Sequence, residues 1–254
     1  MKKIYLTILS IATAVLCVAG LLYHIGYLGR LFGGSSKDIS GNGKLTDSLS
    51  LSVFTDVDID VSVADLNFEY SPSGEYRVSY DVSAEKYVPT VKVSGKTLKI
   101  TQKVKNVSSN SASCKIVITI PTGSALDSVE IDAGVGNMEI DSLTAKAFDL
   151  DAGVGDVKIT DSSIDSVKVN AGVGNVVLKN NTLTQLDIKA GMGNVEVTGT
   201  GDLSEYTLDI NHGLGALTVN GKSMGGFGSE YTQSGSTSKK ITIEAGMGNV
   251  VVVE

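Results

Sequence analysis

The sequence predicts an all-β fold: a single-domain, β-helix-like β-solenoid of short strands with an N-terminal β cap, preceded by one transmembrane helix. Three observations carry the β-solenoid. A five-residue motif, A-G-x-G-N/D, returns at a fixed spacing. Apolar and polar residues alternate on both sides of each copy. The 254 residues include 29 Gly but only 3 Pro, a balance that suits many tight turns between short strands better than disorder or collagen.

The motif begins at Ala133, Ala152, Ala171 and Ala190, each 19 residues after the one before. A variant, HGLGA, begins at His212 after 22 residues, and AGMGN returns at Ala245 after 33. A Gly- and Ser-rich insertion, 221–240, interrupts the series. Self-similarity at a fixed period is the signature of a repeat architecture. Alternation with period 2 gives each copy strands with one buried face. Aligned copies produce four apolar columns. Val129, Phe148, Val167, Leu186, Leu208 and Ile241 form one; Ile131, Leu150, Val169, Ile188, Ile210 and Ile243 the next. After the motif come Met138, Val157, Val176, Val195, Leu217 and Val250, then Ile140, Ile159, Leu178, Val197, Val219 and Val252. A single copy cannot bury its own apolar face. Copies stacked about 4.8 Å apart share one core.

The glycines are read as structural turn positions: Gly134 and Gly136, Gly153 and Gly155, Gly172 and Gly174, Gly191 and Gly193, Gly213 and Gly215, Gly246 and Gly248. A chain that folds sharply between strands needs φ > 0, which Gly adopts freely, and Asn or Asp beside it suits a turn. The rival reading is calcium, which Gly-x-Gly-x-Asp β-rolls bind at a period of roughly nine residues. Here the polar position is Asn137, Asp156, Asn175, Asn194, Ala216 and Asn249. One carboxylate in that file is too few for a cation that favours several oxygen ligands, so no metal site is expected.

Residues 57–68 match the repeat without its glycines and read as a degenerate first coil. Alternating segments at 76–82, 90–94, 97–104 and 114–120 form a β excursion that covers the N-terminal end. The copies are expected to stack in chain order. The final copy, 241–254, would then form the opposite end, with an open edge that the 221–240 insertion partly covers. Weak self-association through this C-terminal coil is the corresponding expectation.

At the N-terminus, Lys2 and Lys3 precede an apolar run from Ile4 to Leu28, long enough to cross a bilayer. Residues 1–32 are read as a membrane anchor or signal segment, 33–47 as a linker and 48–254 as the repeat domain. The expected arrangement is single-pass in the cell membrane with the domain extracytoplasmic; cleavage of the segment as a signal peptide stays open.

The net charge of −7 argues against nucleic acid as a partner. Cys114 is the only cysteine outside the apolar segment that holds Cys17, and His212 the only histidine outside that holding His24. No catalytic residue, cofactor or imidazole- or thiol-based centre is expected. His212 is read as an exposed ring on a bulged coil. The acidic pairs Asp58/Asp60 and Glu130/Asp132 read as a solvated face. The Asn106-Val107-Ser108 and Asn180-Asn181-Thr182 triplets match a glycosylation pattern short enough to arise by chance.

The phased strand-A-G-x-G-N-strand copies, the Ile-Pro-Thr-Gly segment at 120–123 and the AGMGNVVVVE ending resemble the bacterial putative adhesin family, over roughly residues 47–254. That resemblance implies a β-helix-like fold and a cell-surface or envelope role, and carries no functional residues with it. The leading expectation is a non-enzymatic, membrane-anchored interaction module whose surface protein or glycan ligand is open. One rival is a self-assembling scaffold resembling bactofilins. The other is a polysaccharide-processing β-helix, which would need a groove with Asp, Arg or Lys clustered across neighbouring coils.

Overall fold

The computed structural model describes residues 45–105 and 113–254. The expected membrane segment 1–32, the linker up to residue 44, Cys17, His24 and the Asn106-Val107-Ser108 triplet lie outside the described residues. Among the described residues no helix is long and apolar enough to cross a membrane.

Strand β1 (Leu45–Ser50) begins inside the expected linker. It then pairs antiparallel with β4 (Arg77–Val82), so strand structure reaches into the segment read as linker. Polar residues hid it: LTDSLS lies largely in solvent and is held by its backbone ladder.

Each motif coil of the stack is a long strand, a glycine corner and a short strand, whereas the degenerate coil turns at Ala64 without a glycine. The degenerate coil is β2 (Asp56–Val63) and β3 (Asp65–Ser71). The motif coils follow as β8 (Leu126–Val135) with β9 (Met138–Asp141), and β10 (Thr144–Val154) with β11 (Val157–Thr160). Next come β12 (Ser163–Val173) with β13 (Val176–Lys179), and β14 (Thr182–Met192) with β15 (Val195–Thr198). Neighbouring coils pair in parallel at a register of 19 residues, for example Leu150 with Val169 and Ile159 with Leu178. All four apolar columns are buried. The degenerate coil sits in the expected register, with Val57 beside Val129 and Leu66 beside Met138.

A second corner closes each coil. Ser142, Asp161 and Asn180 have φ of 59°, 49° and 54°, the left-handed region that short polar residues tolerate best after glycine. The next residue points inward: Leu143, Ser162, Asn181 and Thr200 are all buried. Ser162 and Asn181 form a polar ladder there. The Ser162 N–H donates to Asn181 Oδ1 at 2.9 Å, and Asn181 Nδ2 donates to the Ile159 carbonyl at 2.9 Å. This accounts for Asn180-Asn181-Thr182: Asn180 makes the turn and Asn181 is a core rung.

Neither end of the stack follows chain order. At the N-terminal end, β6 (Thr97–Gln102) pairs with β2, and β7 (Cys114–Pro121) with β3, as one more parallel coil outside the degenerate one. Strand β5 (Thr90–Ser94) and β4 then cover it antiparallel, so the 76–120 excursion caps that end as the alternation predicts. At the other end the expectation fails. The final coil, β18 (Lys239–Met247) and β19 (Val250–Val253), pairs with β14 and β15 on one side. On the other side it pairs with β16 (Tyr206–Val219). The C-terminal strand is therefore an inner coil, not an edge. The chain skips one place to build β16 and turns back through the antiparallel β17 (Lys222–Gln233). It then fills the vacated place. The physical reason is the insertion: an antiparallel return strand covers the end and leaves enough chain to reach back.

Candidate interaction surface

The glycine corner is built by two different constraints. The first glycine of a motif lacks positive φ: a Cβ on Gly153 would lie 2.4 Å from the Gly134 carbonyl oxygen, so it is needed for close approach between coils. The second has φ of 145° at Gly155, and a Cβ there would lie 1.9 Å from the Gly136 oxygen. Only the second glycine is thus the turn residue that the motif suggested.

The Asn/Asp file beside it is a ladder along the stack. Each side-chain oxygen accepts the backbone N–H of the next coil: Asp65 from Asn137, Asn137 from Asp156, Asp156 from Asn175, and Asn175 from Asn194. Asn194 accepts from Asn249, and Asn249 from Ala216 at 3.0 Å. Ala216 is the last rung, in the outermost motif coil, and needs only its N–H. These oxygens serve the backbone. Among the described residues no group of three or more His, Cys, Asp or Glu is arranged to hold a metal ion.

Between the two glycines lies the variable residue of the motif, and here the surface is apolar. Val135, Val154, Val173, Met192, Met247, Leu214 and Phe227 stand side by side on successive strands. At about 4.8 Å per step this ridge runs roughly 29 Å. Val135, Met247 and Leu214 are 39%, 41% and 48% exposed, and Phe227, on β17, reaches 75%. Sequence reasoning passed over this surface. Its signal was present in the motif, since x is Val, Met or Leu in every copy at a corner that does not bury it.

His212 corrects another expectation. Its ring is buried, not exposed: it fills the alanine column of the outermost coil, and Nε2 lies 2.7 Å from the Gly248 carbonyl oxygen. With fewer coils above it, the column has room for a plug larger than alanine, and Tyr206 plugs the same end with its hydroxyl on the Leu183 carbonyl. Cys114 is buried and unpaired; burial, with Asp65 adding, pushes its thiol up to about 12.

Two polar areas remain. On the long-strand face, Asp58, Asp60, Glu130, Asp132, Asp149 and Asp151 gather on three adjacent coils, partly offset by Lys99 on Asp58, Lys103 on Asp60 and Lys168 on Asp149. The Asp132 carboxyl is held above the ordinary range by desolvation first, then by Asp151 and Asp60. This face extends the acidic pairs Asp58/Asp60 and Glu130/Asp132 by a third, Asp149/Asp151. The second area is a depression of about 600 Å³ lined in part by Glu69, Tyr70, Ser124 and Asp141. Thr160 and Ser142 hydroxyls occupy the Asp141 oxygens. The Tyr70 hydroxyl is buried and raised in pKa by that burial and by Asp141. The lining supplies carboxylates and hydroxyls but no lysine, arginine or histidine.

Comparison with known proteins bears on this architecture. The model of the Toastrack DUF4097 family matches residues 54–241. The chain belongs to that family. A similar fold appears in the crystal structure of a putative cell adhesion protein from Clostridium sporogenes. It shares 21% identity and a TM-score of 0.53, over 83% of this chain and 99% of that one. A putative adhesin from Bacteroides fragilis matches at 18% identity and a TM-score of 0.45, over 84% of this chain and 98% of that one. No curated protein matches the chain. The resemblance to putative adhesins read from the motif copies therefore holds at the level of the family.

Proposed function

We propose that this Toastrack chain is a non-enzymatic β-solenoid, carried outside the cytoplasm on one N-terminal transmembrane helix, that works by apolar contact with a protein partner. The observation that carries the reading is the ridge of Val135, Val154, Val173, Met192, Met247, Leu214 and Phe227. Scattered apolar residues on a surface need no explanation, but a contiguous apolar row, exposed at Val135, Met247, Leu214 and Phe227 and half-buried at Val154, Val173 and Met192, marks an interaction site. Val, Met and Leu side chains fit an apolar protein surface better than a glycan, whose hydroxyl groups call for hydrogen bonds and stacked rings. The cell adhesion description of the Clostridium sporogenes relative is in keeping with this reading. The apolar run Ile4–Leu28 behind Lys2 and Lys3 supports the anchor and its orientation.

Two measurements test it. Protease added to spheroplasts is expected to degrade the domain; protection until lysis would overturn the location. Cells displaying the doubly substituted Val135→Asp, Met247→Asp chain are expected to attach several-fold less well than wild type. Both positions are exposed, so the variant should keep its melting temperature. Undiminished attachment by a folded variant would remove the ridge as the working surface.

A further inference from the structure

We propose that a second copy of this chain docks head to head on the β17 end of the stack, with β17 pairing antiparallel to its own two-fold mate. Three observations point to this occupant. First, β17 is 12 residues long and, among the described residues, pairs only with β16. Its other edge presents a row of backbone donors and acceptors, and another strand is what satisfies such an edge. Second, Phe227 lies near the midpoint of that strand and is 75% exposed. A two-fold axis between Phe227 and Gly228 sets Phe227 beside its counterpart and over a residue with no side chain to obstruct it. It also joins the two apolar ridges into one. Third, the core is only half closed at this end. Met224 and Tyr231 pack against it while remaining partly exposed. The same axis places Met224 opposite Tyr231 of the second copy, and the reverse, so that the two cores meet.

The charges permit this register. Lys222 falls opposite Gln233 and Glu230 opposite Gly225, so no like charges face each other. The opposite end of the stack is protected. Of the two edge strands there, β5 carries Lys92 at its centre, so that a two-fold pairing would set Lys92 against Lys92, and β1 is only 6 residues long with Asp47 near its centre. The assembly is therefore a closed dimer and not a filament. One strand edge and one aromatic side chain offer less than the roughly 800 Å² per partner of a standard interface, so the dimer forms and dissociates with concentration. Both chains enter at the far, β1 ends of such a dimer, the arrangement that copies on facing cell surfaces require. That last step rests on the anchored, outward-facing reading above, and the dimer itself is tested without it.

The test is sedimentation of the purified full-length chain in detergent over a wide concentration range. Wild type is expected to pass from monomer to dimer. Phe227→Glu and Phe227→Arg should each weaken the dimer by about tenfold or more through like-charge repulsion, and an equimolar mixture of the two should restore it. Val53→Glu, at a residue 66% exposed elsewhere, should change nothing. Unchanged melting temperatures show that the variants fold. A chain monomeric at every concentration overturns the proposal. So does a dimer indifferent to both Phe227 variants, or one that the mixture fails to rescue.

Discussion

At the scale of single residues the motif divides its labour, and substitutions should expose the division. Gly155 combines a left-handed φ with a carbonyl at 1.9 Å from any added Cβ. Gly155→Ala is expected to lower stability by about 3 kcal/mol or more, at or beyond the usual cost of backbone strain. Gly153→Val meets a carbonyl but no forbidden φ and should cost about 1–3 kcal/mol. Glu139→Gln, which loses one exposed ion pair with Lys158, should change little. Urea midpoints measure all three, and equal losses would refute the assignment. The glycines were legible as corners from the sequence, but their two roles were not. Close approach of neighbouring backbones is a property of the stack, which no single copy displays. His212 was misread for a related reason: whether a ring at that column is exposed depends on which coil lies beside it. Cys114 gives a second expectation. With its thiol pushed up to about 12, almost none is thiolate near neutral pH, and the thiolate is the reacting form. Iodoacetamide should modify Cys114 only as fast as the domain unfolds, which mass spectrometry against urea concentration can follow.

At the scale of strands, the 19-residue period sets the surface as well as the core. Lys146 meets Asp127, Lys158 meets Glu139, and Lys168 meets Asp149, each one coil away. Alternation in the sequence was enough to assign these positions to solvent, because strand residues at i and i+2 share a face. The register that sets Asp58 and Asp60 beside Glu130 and Asp132 was legible as well, but the Asp149 and Asp151 rung was not read as extending that acidic face. That cluster has a pH signature. Folding raises the Asp132 carboxyl above its ordinary range, so the protonated form is favoured in the folded state. Its contribution to stability is full below the unfolded value and is lost as pH rises through the folded one. Asp132→Asn should therefore stabilise the domain near pH 7, with no gain at about pH 3, below the ordinary carboxylate range. Salt should shrink the gain. A gain equal at both pH values would mean that charge is not its source. The Asn/Asp file makes the complementary case: millimolar calcium should leave the melting temperature unchanged, since those oxygens already accept backbone N–H groups.

At the scale of the molecule, the coil register and the N-terminal cap could be read from the sequence, but the order of coils at the ends could not. Spacings of 22 and 33 residues mark an irregularity without saying which gap the last coil fills. That placement is decided by pairing partners: β18 and β19 satisfy backbone groups on both sides, and the outermost place offers only one. A chain ending at residue 238 should lose hydrogen-exchange protection at Leu208, Ile210 and Leu217, far from the cut in sequence, because β16 loses the coil beneath it. Retained protection there would show that β16 can seat directly on β14. The crossed ends also govern how such a protein can lengthen. A duplicated unit of 19 residues matches the register only where consecutive copies are neighbours in space. A second copy of 163–181 inserted after Asn181 should fold and simply add one coil. The same unit appended after Glu254 finds both adjoining places taken and should hang unfolded. Lengthening by duplication is thus confined to the middle of the chain, and relatives of different size should differ there in multiples of one coil, with both woven ends unchanged.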